Sequence, residues 1–86
     1  MKKFRILSKV RSGQLWISQA NIIELSGLPK EQLLSLNNYL LAEKIELFHE
    51  GIVNVRLAIS ASGSNCGRLR IEGIETEDSF LNIGLA

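Results

Sequence analysis

The chain contains one cysteine, one histidine, one proline and few aromatic residues. A lone Cys66 cannot close an internal disulfide, and His49 has no partner at metal-ligand spacing, so neither a disulfide framework nor a metal centre is expected. No apolar run approaches the roughly 18 residues of a membrane span. Lys9 and Arg11 interrupt the basic start before a signal-peptide core can form. The sequence therefore implies a cytoplasmic protein with no membrane partner. Catalytic motifs are missing too. No histidine accompanies a serine or cysteine in a nucleophile arrangement, and there is no HExxH, no phosphate loop and no carboxylate pair in an implied pocket. The stretch Gly63-Ser64-Asn65-Cys66-Gly67 is glycine-rich but does not join a strand to a long helix as a phosphate cradle must. Neither enzymatic activity nor a cofactor is expected.

What is present suits one small globular domain: 86 residues, 45% of them apolar. The net charge of +1 hides a gradient. Residues 1–14 carry Lys2, Lys3, Arg5, Lys9 and Arg11 and no acid, residues 15–70 are balanced, and residues 71–86 carry Glu72, Glu75, Glu77 and Asp78 and no base. A basic start of this kind fits a nucleic-acid binder with an acidic tail, and equally a soluble domain with no such partner.

The centre of the chain, 18–45, reads as two helices joined by a tight turn. Ser18 is a good N-cap, able to accept a hydrogen bond from a first-turn amide. Ala20, Ile22, Ile23 and Leu25 follow, and Ser26-Gly27 ends the run, glycine being suited to a left-handed helix end. Pro29 sits where a helix can begin. Over residues 30–44, Leu33, Leu34, Leu36, Leu40 and Leu41 recur at helical spacing. Only Gly27, Leu28 and Pro29 separate the two, which makes a helix-turn-helix.

On the N-terminal side, residues 2–12 have a helical stripe of Phe4, Ile6, Leu7 and Val10, ended by Ser12-Gly13. Gln14 to Ile17 is a short extended link that can pair as an edge strand, and Trp16 reads as a core plug. After Lys44 the periodicity becomes alternating: Ile45, Leu47 and His49 on one face, then Val53, Val55, Leu57 and Ile59 beyond a turn at Glu50-Gly51. That is a β-hairpin. Residues 66–74 suit a short helix, while 68–71 equally suit a third strand.

The order helix, short strand, helix-turn-helix, hairpin resembles the winged helix-turn-helix superfamily of small transcription regulators. The pattern is carried by Gly27 with Leu28, by Leu33 and Leu36 six and nine positions after the glycine, and by Ile22 five before it. It departs at Ile23, where the superfamily has a small residue, and at Ser26, where it has an apolar one. The resemblance implies an α+β, mainly α, winged helix domain over residues 1–74, with three helices and a C-terminal hairpin wing. Residues 75–86 would form an acidic and apolar tail, loose or used for dimerisation.

Such a fold implies a double-stranded DNA partner, with helix 30–44 in the major groove and the wing near Glu50-Gly51 on the flanking backbone. Gln32, Ser35, Asn38 and Tyr39 face away from the leucines and are the candidates for base edges, since Asn and Gln bind adenine bidentately. Lys2, Lys3, Arg5, Lys9, Lys30 and Arg56 are the candidates for phosphates. A homodimer would double those contacts. The rival expectation is a protein-interaction module without DNA binding, favoured by the acids on the second helix and by the balanced charge of the middle of the chain. Asn37, on the leucine face, is expected to be hydrogen-bonded to backbone.

Overall fold

The computed structural model describes residues 4–51 and 55–73. A 3-10 helix, Arg5–Lys9, leads into strand β1, Gln14–Ile17. Helices α1, Gln19–Ser26, and α2, Lys30–Ala42, follow, and then strands β2, Glu46–His49, β3, Arg56–Ile59, and β4, Leu69–Ile71. The strands form one mixed sheet in the order β1-β2-β3-β4, with β1 parallel to β2 and the other pairs antiparallel. Two strands can run parallel only if a crossover returns the chain to the same end of the sheet. The α1–α2 pair is that crossover.

Local chemistry sets each boundary. At 11–14 the chain makes a two-residue turn closed by reciprocal Arg11–Gln14 backbone hydrogen bonds of 2.8 and 2.9 Å. Ser12 and Gly13 both have positive φ, 52° and 77°, the requirement of the hairpin turn whose twist matches the strands. Ser18 caps α1 reciprocally: its hydroxyl accepts from the Asn21 amide at 3.4 Å, and the Asn21 side-chain oxygen accepts from the Ser18 amide at 3.1 Å. Gly27 closes α1 in the right-handed region at φ −85°, so the expected left-handed cap is absent there. It stands instead at Lys44, φ 56°. The Ile45 amide donates to the Leu40 carbonyl and the Lys44 amide to Leu41, so the end of α2 is a Schellman motif built on a lysine.

One face of the sheet is apolar and covered by the helices. Leu15, Ile17, Leu47, Leu57, Ile59 and Leu69 are buried there against Ile22 and Leu25 of α1 and Leu33, Leu36 and Leu40 of α2, with Ile6 completing the cluster. Helix α1 packs against β1 and α2 against β3. Among the described residues no helix is long and apolar enough to cross a membrane.

This architecture corrects the expected winged helix. The described chain has two α-helices, not three; the helix expected over 2–12 is a five-residue 3-10 helix, and its first residues lie outside the described part. The β2–β3 hairpin is no wing either. Because β1 joins β2 in parallel and β4 joins β3, the hairpin forms the middle of a four-stranded sheet. Residues 69–71 form a strand, resolving the alternatives left by the sequence. Trp16 is not a core plug: it lies on the sheet face away from the helices, stacked on Phe48 with ring centres 4.6 Å apart. The expected tail, 75–86, lies outside the described residues.

Candidate nucleic-acid interface

Helix α2 presents Leu33, Leu36 and Leu40 to the sheet, which leaves its other side to solvent, where Leu41 of the expected leucine stripe is also exposed. Gln32, Ser35, Asn38 and Tyr39 are all exposed, Tyr39 at 37%. They recur at three, six and seven residues from the first, so they share one side of the helix. No hydrogen bond to another described residue occupies any of the four side chains. Glu31 and Glu43 are exposed on the same helix and bring negative charge to both ends of this surface.

The start of α2 is held by the β3–β4 loop. Gly67, with φ +84°, lies so close to the first turn that a Cβ there would stand 2.5 Å from Lys30 Cγ and 3.2 Å from Lys30 Cα. The lysine stem is thus packed against the loop while the residue as a whole remains exposed. Pro29, the N-cap, supplies no side-chain acceptor, so the first amides of the helix lack an internal partner. Arg68 lines a shallow cleft beside them with Leu28 and Leu33, and donates to Asn65 Oδ1 at 3.0 Å. The sequence reading missed Arg68; its one signal was the neighbouring Gly67, a backbone position where only glycine fits.

The remaining candidate phosphate contacts are scattered. Lys9 Nζ donates to Glu50 Oε1 at 3.1 Å and to Asn21 Oδ1 at 3.0 Å. Arg56 lies between two carboxylates, 3.3 Å from Glu46 and 2.8 Å from Glu72. Half-exposed pairs of this kind contribute little to stability. Their effect on function is larger, because two acids against one base leave a local charge of −1 where a phosphate contact was expected. Arg5 is exposed beside a polar cleft of about 280 Å³ that Ser8, Lys9, Asn21 and Glu24 also line. Lys2 and Lys3 lie outside the described residues. At the expected wing tip, Glu50 is tied back: its amide donates to the Ile17 carbonyl at 2.6 Å and its carboxylate pairs with Lys9.

His49 is buried, its Nδ1 accepting from the Gly51 amide at 3.0 Å while Nε2 has no partner among the described residues. The side-chain amide of Gln19 is likewise buried without partners among the described residues. Asn37 is half-buried at the edge of α2's apolar face with no hydrogen bond to another described residue, so the expected backbone bond is absent. No family model, no curated protein and no solved structure matches the chain.

Proposed function

We propose that the protein binds double-stranded DNA, with the exposed side of α2 in the major groove, and that it serves as a small transcription regulator. One observation carries this reading: four side chains able to bond base edges, Gln32, Ser35, Asn38 and Tyr39, lie together on one side of a helix with no bonds to other described residues. The helix is held rigidly, by its leucine face and by the loop over its first turn. Lys30, beside uncapped amides at the positive end of the helix dipole, suits a backbone phosphate. Lys9 and Arg56 are withdrawn from the phosphate set, which leaves Arg5 and Lys30 with Lys2 and Lys3.

Sites selected from a random duplex pool test the assignment. Gln32→Ala and Asn38→Ala are each expected to cost about 1–3 kcal/mol on the selected sequence and to flatten its base preference, while Lys30→Ala weakens all sequences alike. If both alanine variants bound the selected site as tightly as the parent, α2 would not be the reading element.

A protein-interaction module without DNA binding is the second reading, and one observation favours it. The sheet face away from the helices carries the Trp16–Phe48 stack beside the Glu46–Arg56–Glu72 ion pairs, an aromatic surface with an acidic excess of one charge that would repel phosphate and suits a protein partner. Absence of DNA binding at low salt, with the fold intact, supports this second reading.

A further inference from the structure

Among the described residues β2 and β3 pair at Leu47↔Leu57 and Phe48↔Arg56, and the His49 amide donates to the Val55 carbonyl at 3.1 Å. Just before β2 the Ile45 amide donates to the Leu40 carbonyl at 2.8 Å, closing α2. A cavity of about 120 Å³ lies there, lined by Leu40, Leu41, Ile45, Leu47, Leu57 and Ile59, with Asn37 among its other lining residues. Glu46, Arg56 and Glu72 also line it, joined by the two ion pairs, so its charged border sums to −1. Leu41, itself part of the cavity's rim, is 68% exposed, the most exposed large apolar side chain described. Three residues on is Lys44, exposed and without a carboxylate at ion-pair distance among the described residues.

We infer that this flank of α2 binds a second copy of the chain. A two-fold contact presents the same patch from both sides, so a protrusion and a hollow in one patch fill each other twice. Leu41 of each copy enters the cavity of the other. An engineered apolar cavity of about 150 Å³ accepts benzene, so about 120 Å³ accommodates the four side-chain carbons of a leucine. Lys44 of each copy then meets the border of net charge −1 on the other, which is the charge complementarity that selects a second copy over an arbitrary apolar partner. Ile23 on α1, 62% exposed, lines none of the described cavities and remains outside the contact. The contact is independent of the DNA reading.

Sedimentation equilibrium of the full chain, up to roughly 1 mM at the weak end of the affinity scale, tests it. The parent is expected to form a concentration-dependent dimer. Leu41→Glu and Lys44→Glu each raise its dissociation constant, the first by about tenfold or more, on the order of burying one apolar side chain. Ile23→Glu leaves it unchanged. Circular dichroism reports whether each variant is folded; if Leu41→Glu is not, Lys44→Glu decides. A parent that stays monomeric, a folded Leu41→Glu or Lys44→Glu that dimerises as the parent does, or an Ile23→Glu that dissociates the dimer overturns the inference.

Discussion

Gly67→Ala is expected to destabilise the protein by about 3 kcal/mol. A left-handed backbone costs a residue with a Cβ about 1–2 kcal/mol. Forcing atoms into a packed site adds about 1–3 kcal/mol. The new Cβ would stand 3.2 Å from Lys30 Cα, backbone that cannot swing aside as a side-chain end would. Gly63→Ala and Gly13→Ala are the controls: both positions have positive φ but nothing within 4 Å, so only the conformational cost applies. Urea unfolding separates the cases, since with m near 1–3 kcal/mol/M the Gly67 variant shifts its midpoint by at least about 1 M. Equal shifts for Gly67→Ala and Gly63→Ala would mean that the loop does not pack on α2. The result matters for function because this loop fixes the end of the helix that carries Lys30 and Gln32.

Leu36→Ala is expected to cost a similar 3–4 kcal/mol, at the middle of the range of roughly 2–5 kcal/mol for leucine truncation in a core. Leu36 has 0% exposure and lies centrally on the face that α2 buries. A chain of 86 residues has a total stability on the order of 4–13 kcal/mol, so this single change removes a large share and lowers the melting temperature by about 12–32 °C. Leu41→Ala, five residues on and 68% exposed, should change the stability of the monomer by no more than about 0.5 kcal/mol. Calorimetry on the two variants checks which side of α2 is buried, and with it which side is free to meet a partner. Equal losses would place the helix in the wrong rotation.

The local elements were legible because their signals are local. Ser18 as a cap, Gly27 and Pro29 between the helices, and the alternation of Leu47/His49 and Leu57/Ile59 mark α1, α2, β2 and β3 from neighbours a few residues apart. The side chains of Gln32, Ser35 and Asn38 fall opposite the leucines on any helix of this sequence. What connects distant residues was not legible. Whether β1 runs parallel or antiparallel to β2 depends on where the helix pair delivers the chain, and no residue of Gln14–Ile17 encodes that. The winged helix expectation failed at this point, since a parallel β1 turns the supposed wing into the middle of a sheet. Trp16 was misplaced for a related reason: its alternation with Leu15 and Ile17 puts it on the outer face once β1 is a full member of the sheet. The pairing of Lys9 with Glu50, 41 residues apart, and of Arg56 with Glu46 and Glu72 was equally invisible, and it removed two residues from the expected phosphate contacts.

The most direct measurement is binding of the purified protein to a fluorescent duplex over a range of salt concentrations. Four phosphate contacts per chain, from Lys2, Lys3, Arg5 and Lys30, predict a log–log slope of about −3.6, with proportionally more for a dimer that engages both copies. A slope near that value, reduced by about one unit per chain in Lys30→Ala, is the result expected of a helix docked on DNA with Lys30 on the backbone. No binding even at low salt, or binding indifferent to salt, would contradict DNA binding by this protein.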